Sequence, residues 1–387
     1  MINFLKQSLQ SELDSFFQIV KNSQTPIRTI TKSAFTRARS KLSYEAFIEL
    51  NQSLVNYMDT YAPLKTWHGF RLLAVDGTTI QVPKNPKTTD YFDPKTDSTQ
   101  PRCPMARASQ LYDVLNHLTL DATIQPYGEG ERDLALEHGP SLLKNDLVLL
   151  DRGYPAFWFY AWLLSENVHF CARVSLGSWR QVKEFYASGQ SEQLITIHPT
   201  TDSRKKCREY NLSTESIQIR LIRVSLPDSE DHILMTSLLD IESFPVSFFQ
   251  DLYHQRWGIE ENYKQMKSRI EIENFSGKSV ASVYQDFHAK IFAMNLSAAF
   301  VHSINDVVEQ DSKEKKHPYQ VNRTFVLSAL KNNLVRVFLQ SRPHQLLKRL
   351  LALFRNTTEP IRSGRSFIRK KVMRDHPTFF PCYKPTA

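Results

Sequence analysis

The stretch YHQRWGIEENYKQMK, residues 253–267, sets carboxylates among hydrogen-bond donors. At about 100° per residue of α-helix, Tyr253, Arg256, Glu260, Lys264 and Lys267 fall in one stripe roughly 80° wide. Glu261 projects about 80° away from Tyr253, and the apolar set Phe248, Leu252, Ile259 and Met266 clusters about 100° to the other side. A merely solvated helix face tends to scatter acids and bases for i,i+4 pairing. One acid ringed by a tyrosine, an arginine and two lysines suits a phosphodiester held beside a metal ion. On spacing alone, a structural salt-bridge face remains the alternative.

Two more carboxylates stand at the ends of apolar runs: Asp76 in LLAVDG and Asp151 in LVLLDR. In an α/β sheet the carboxyl ends of the strands open into the ligand crevice. An aspartate after a strand is also a common turn former, so neither decides anything singly. Their order along the chain, Asp76, Asp151, Glu260, leaves gaps of 75 and 109 residues.

The elements that must carry these residues are readable by period. Residues 1–65 read as helices. The segment TPIRTITKSAFTRARSKLSYEAFIELNQ holds two short ones joined by a turn, with Arg37, Arg39 and Lys41 expected on the surface. That is either a helix-turn-helix-like DNA-binding segment or a helical hairpin with a basic face. From Phe70 the period becomes two: FRLLAVDGTTIQVP is a strand interrupted near Asp76-Gly77, and residues 85–105 are loop. A long bent strand or two, the helix GERDLALEHGPSLL, the buried strand DLVLLDRGY, the helix AFWFYAWLLSEN and the strand VHFCARV follow. This order describes a mixed α/β core whose first part spans 66–173. Residues 174–244 read as an all-β insertion, 245–300 as a helix bearing Glu260 with the end of the core, and 301–387 as C-terminal helices and a basic tail.

Composition narrows the partner. Lys and Arg number 49 against 40 Asp and Glu, net +9. Residues 21–44 contain six basic residues and no acid, and residues 342–387 contain eleven against Glu359 and Asp375. Two basic segments flanking a mixed middle suggest a polyanion. Nucleic acid is expected rather than membrane, because the run AFWFYAWLL is far short of the roughly 20 residues a span needs. Four scattered cysteines without a CxxC pair argue against zinc or a disulfide framework.

The spacing Y-x2-R-x3-E-x6-K of Tyr253, Arg256, Glu260 and Lys267, with two ordered aspartates and DRGY at Asp151, resembles insertion-sequence transposases of the D-D-E superfamily, in the fourth insertion-sequence family. The resemblance covers roughly residues 25–375. It implies an RNase H-like mixed-sheet core, with Asp76, Asp151 and Glu260 as catalytic acids holding Mg²⁺ or Mn²⁺, two ions in all. It implies Arg256, Lys264 and Lys267 on phosphates and Tyr253 on a phosphate or sugar. It further implies double-stranded DNA as partner (terminal inverted repeats and target), a homodimer on paired ends, a hairpin intermediate and a cytoplasmic, nucleoid-associated location. One position departs from the pattern. Where a well-studied member of the family stacks a tryptophan on a flipped base, just before an LLLTS-like run, this chain has HILMTS and His232; Trp179 is a second candidate stacker. A D-D-E nuclease without strand transfer, and a non-catalytic DNA-binding descendant of a transposase, are the rival readings.

Overall fold

The computed structural model describes residues 8–95, 104–226, 229–339 and 343–361. Its centre is one sheet of eight strands: β1 (Leu72–Gln81), β2 (Met105–Asp113), β3 (Leu118–Pro126), β4 (Leu147–Leu150), β5 (His169–Val174), β6 (Glu192–Ile197), β7 (Ile217–Leu226) and β8 (Ser229–Thr236). The spatial order is β3-β2-β1-β4-β5-β8-β7-β6. Strands β1, β2 and β3 form an antiparallel meander, β4 and β5 run parallel to β1, and β8 pairs antiparallel with β5.

Alternation along the strands builds two cores. Leu73, Val75, Val148, Leu150, Phe170 and Ala172 face α6 (Phe157–Ser165), a helix buried on nearly every side. Leu72, Ala74, Leu147, Leu149, Cys171 and Leu234 face α9 (Phe248–His254), α10 (Trp257–Ser268) and the first half of α11 (Val280–Ser312). Every aliphatic residue in these runs is taken out of water, which is why β1, β4 and β5 read as near-continuous apolar stretches. Helix α11 is long and apolar enough to cross a membrane by length and composition. Here, however, its buried polar residues are bonded within the protein. The Lys290 ammonium donates to the carbonyls of Glu271 (2.8 Å) and Asn274 (2.9 Å), and Asn295 donates to Thr119 O.

Several expectations are corrected. Strand β1 is not interrupted at Asp76-Gly77; pairing with β2 runs through it, Asp76 opposite Gln110 and Gly77 opposite Ser109. The loop expected at 85–105 contains α4 (Pro86–Phe92), with the Asn85 side chain capping Lys87 N–H and proline in the first turn. The insertion is not all-β. It carries α7 (Arg180–Ser188), which buries Val182 and Phe185, and α8 (Thr201–Glu209), capped by the Thr200 hydroxyl on Ser203 N–H. Its three strands extend the main sheet rather than forming a separate one. Helix α11 runs unbroken through residue 300, where a boundary was expected. The basic tail beyond residue 361 lies outside the described residues.

The N-terminal helices are α1 (Leu9–Val20), α2 (Lys32–Arg39) and α3 (Glu45–Tyr61). Arg37 and Lys41 are exposed as expected, but Arg39 is only 4% exposed. Its guanidinium donates to Gln285 Oε1 (2.8 Å), Ser276 Oγ (2.5 Å) and Asp286 Oδ1 (3.0 Å). Arg39 therefore ties the N-terminal segment to α11 and is not a phosphate contact. Removing one partner of a buried, hydrogen-bonded pair leaves a charge without compensation and costs about 3–5 kcal/mol. Arg39→Ala should lower stability by that order in denaturant titration, with Arg37→Ala and Lys41→Ala within about 0.5 kcal/mol of the parent.

Candidate active site

The parallel register of β1 and β4 decides the geometry. Leu72 pairs with Leu147, Leu73 with Val148 and Ala74 with Leu149. The offset is 75 residues, the same as from Asp76 to Asp151, so the register continued two residues sets the aspartates side by side. Neighbouring strands lie about 4.8 Å apart. Both aspartates share the parity of Ala74 and Leu149 and so lie on the face covered by α9, α10 and α11. Strand β4 stops at Leu150 while β1 runs on with β2 to Gln81, so Asp76 lies mid-strand yet at the open end of the parallel pair. Asp151 Oδ1 accepts the Gly153 N–H (2.7 Å), and the Arg132 guanidinium donates to Gly153 O (2.7 Å), closing the DRGY turn.

Asp76 Oδ1 accepts the Gly77 N–H at 2.8 Å. Burial pushes its carboxyl up to about 7, and the Asp151 charge adds to that against the Arg256 guanidinium, which lowers it.

Glu260 is carried by α10, which packs on the same sheet face as this pair. The expected single helix breaks at Gln255-Arg256, where N–H donors reach back three residues (Arg256 N to Tyr253 O, 3.1 Å). Beyond the break, α10 is bolted to the sheet. Asn262 donates to Gln110 Oε1 (2.8 Å), the Tyr263 hydroxyl to Asp76 O (2.6 Å) and Lys267 Nζ to Thr79 O (2.8 Å). Gly258 permits the close approach, since a Cβ there would sit 3.4 Å from Val114 Cβ. The Arg256 guanidinium, 8% exposed, donates to Glu260 Oε1 at 2.7 Å, and its buried Nε has no partner. Arg256 also lies over the Tyr253 and Trp257 rings, 5.7 and 5.4 Å from their centroids.

The sequence-derived stripe therefore survives in part. Arg256, Glu260 and Lys267 lie on the sheet side of α10. Burial lowers the Lys267 ammonium. Tyr253 sits on α9, its hydroxyl donating to Leu150 O (3.3 Å) at the end of β4. Lys264, at the solvent edge of the stripe, instead pairs with Glu261 one turn back on the same helix, both more than half exposed. His232 shares the Leu234 face of β8, the same face as the aspartates. Burial and the Arg173 guanidinium lower its imidazole. Trp179 packs on Tyr160, rings nearly parallel at 6.1 Å, and belongs to the opposite core. Arg173, outside every motif in the sequence, also belongs to the face of the aspartates. Continuing the β4–β5 register (Leu150 with Ala172) puts it beside Asp151, and its charge also bears on Tyr253. A lone arginine inside the apolar run VHFCARV was the available signal.

Among the described residues no three His, Cys, Asp or Glu side chains are grouped closely enough to hold one ion as they stand. Glu260 is drawn to Arg256, leaving Asp76 and Asp151 as the adjacent pair.

The raised Asp76 carboxyl has a stability consequence. A carboxyl whose folded value lies near 7, against about 3.9 unfolded, stabilises the fold when protonated, and that contribution is lost as pH rises from about 4 through 7. Asp76→Asn, measured with chelator present, should therefore raise stability on the order of 2 kcal/mol at pH 8 and much less at pH 4. Equal effects at both pH values would show that Asp76 ionises freely.

Residues 67–296 match the family described as transposase DDE domain. The chain is 27% identical over 272 residues, 69% of its length and 60% of the relative's, to "Transposase InsG for insertion sequence element IS4" of Escherichia coli (strain K12). It is 27% identical over 157 residues, 40% of this chain and 52% of the relative, to "Putative transposase InsZ" of the same organism. The chain thus aligns with less than two thirds of either relative. A solved structure, the piggyBac transposase synaptic complex with hairpin DNA, overlays with TM-score 0.41 at 10% identity, covering 87% of this chain and 73% of that one. With more than half of its length matched, residues 67–296 out of 387, this chain belongs to the transposase DDE domain family.

Proposed function

We propose that this chain is a transposase that binds the ends of its element, cuts them, and joins them to target DNA through an RNase H-like core. The observation that carries the reading is the register that sets Asp76 beside Asp151, with Glu260 hung over the same sheet face from α10. The meander β1-β2-β3 followed by parallel β4 and β5 supports the fold assignment.

The donor set fits a hard divalent cation: adjacent carboxylates at an open strand end, with carboxylate and carbonyl oxygens as the ligand type. Asp76, Asp151 and Glu260 would hold Mg²⁺ or Mn²⁺, which activates the attacking oxygen and stabilises the leaving one. Glu260 joins that set by exchanging its Arg256 partner. The guanidinium so released, with its unpaired Nε, is then free to donate to a phosphate oxygen. Lys267 and Arg173 add positive charge on either side of the aspartates. Tyr253, fixed on Leu150 O, braces the end of β4 that presents Asp151. His232, on the same face beyond Arg173, would stack on an extruded base in a hairpin step.

Residues 1–65, with Arg37 and Lys41 outward, would contact DNA phosphates, and the helices after residue 300 would support pairing of two copies on two ends. Such a protein works in the cytoplasm alongside the nucleoid.

The test uses a labelled element end and a supercoiled target in Mg²⁺. The parent should nick, form a hairpin and transfer the strand. Asp76→Asn, Asp151→Asn and Glu260→Gln should each lose cleavage while retaining end binding in a gel shift. Cutting without joining would establish the nuclease reading; binding without cutting, the non-catalytic one. His232→Ala should slow hairpin formation about tenfold and spare first-strand nicking, because a stacked imidazole falls at the low end of the roughly 1–3 kcal/mol per base. An unchanged nick-to-hairpin ratio would make His232 a plain strand residue. Replacing Arg37 and Lys41 with alanine should reduce the log–log salt slope of end binding by about 0.9 for each lost contact.

A further inference from the structure

Strand β4 and its pairing with β5 end at Leu150, yet the place of Asp151 beside Asp76 depends on what the chain does next. Asp151 Oδ1 accepts the Gly153 N–H at 2.7 Å, and the Tyr154 N–H donates to Asp151 O at 3.3 Å. Such a turn, in which an aspartate bonds the backbone two residues on, is local. It fixes the carboxylate only as well as the turn itself is fixed. Gly153 is required, because a Cβ there would stand 3.0 Å from Asp151 Oδ1. The outward carbonyls of the turn are taken up by another element. The Arg132 guanidinium donates to Gly153 O through Nε (3.1 Å) and Nη2 (2.7 Å), and Nη2 also reaches Pro155 O (3.4 Å).

Arg132 belongs to α5 (Glu131–Leu136), six residues long and with no side-chain cap at its start. A helix that short does not hold by itself, and its first three residues each fasten to a different neighbour. Glu131 pairs with Arg107 of β2 at 2.5 Å, and Asp133 accepts the Tyr210 hydroxyl (3.0 Å) just after α8. Beyond the helix, His138 is fully buried between Ser109 Oγ of β2 (2.9 Å) and Asp121 Oδ2 of β3 (2.7 Å). Helix α5 is therefore fixed to the strands that pair with the Asp76 strand, and Arg132 extends from it to the turn that carries Asp151. Ala135 and Leu136 lie in the α6-side core. The guanidinium thus grips the turn's backbone from that side, and no reach across the sheet is needed.

We propose that Arg132 is a positioning residue for Asp151: by holding the Gly153 and Pro155 carbonyls it keeps the Gly153 N–H on Asp151 Oδ1, and so keeps the carboxylate in the row with Asp76. This rests on the reading of the two aspartates as a cation-holding pair. A guanidinium suits the task because its planar fork serves two acceptors at once, where an ammonium is a point donor. Loss of a partner that orients a ligating carboxylate typically weakens metal affinity by about 10–100-fold.

The substitution is Arg132→Ala, with Arg132→Lys as a second variant, both on the full chain. Without metal, amide hydrogen exchange read by mass spectrometry should quicken about tenfold in the peptide spanning 151–156 and stay unchanged in β4. The Mn²⁺ concentration giving half of the metal-induced rise in melting temperature should increase about tenfold or more in Arg132→Ala, and by less in Arg132→Lys. Binding to the element end without metal should stay at the parent level in a gel shift. Asp151→Asn runs alongside. A parental Mn²⁺ midpoint in Arg132→Ala where Asp151→Asn is shifted overturns the proposal. A lower melting temperature would then mark a plain structural contact, and weaker end binding a DNA contact. Unchanged exchange at 151–156 overturns it as well. If Asp151→Asn itself keeps the parental midpoint, the carboxylate pair fails as a cation site, and the exchange result alone decides whether Arg132 holds the turn.

Discussion

The whole site hangs on where β4 stops. Parallel pairing with β1 ends at Ala74 and Leu149, β4 itself at Leu150, and β1 continues on the strength of its antiparallel partner β2. Two aspartates two residues beyond the last paired residues then share a row and a face, with Arg173 of β5 as the neighbour of Asp151. Everything packed around them serves that row. Gln110 and Asn262 fix the height of α10, Tyr263 fixes its rotation by bonding Asp76 O, and Lys267 pins its far end on Thr79 O. These three bonds, from Asn262 to Lys267, fix the helix that carries Glu260, although it comes more than a hundred residues after Asp151.

Much of this was legible in the sequence, and for a physical reason. A buried parallel strand must be apolar on both faces, so a charge at its end stands out. The equality of the 75-residue gap and the strand offset is the structural content of two similar strand endings, LLAVDG and LVLLDR. The i,i+4 relation of Arg256 and Glu260 survived because both lie on one side of the helix break. Lys264, at the edge of the projected stripe, turns to its i−3 neighbour Glu261 instead, and the break at Gln255-Arg256 separates only Tyr253 from the other four.

What escaped the sequence depended on contacts distant along the chain. Arg39 looked like one of a run of surface cations; Asp286, which neutralises it, lies 247 residues away. Local charge counting cannot separate a solvated arginine from one answering a buried acid. Arg173 was hidden in the opposite way, inside a strand read only for its hydrophobicity. The helices of the insertion were passed over because α8 (TDSRKKCRE) buries only Cys207 and so offers almost no apolar periodicity, its start being marked by the Thr200 cap instead.

The site is also the place where the fold tolerates unfavourable chemistry. A carboxyl displaced upward to about 7 and a guanidinium with an unpaired Nε act on one another here. Each is individually destabilising, since an unpartnered buried polar group costs about 1–3 kcal/mol. Their signs are not random: the cationic donor acts on an acid that burial keeps from ionising. An arrangement selected for stability alone would pair Arg256 fully and replace Asp76 with a neutral residue. Under the proposed function both deficits would be met by a cation and a phosphate, so that binding energy would be realised at the reacting centre rather than in the resting fold.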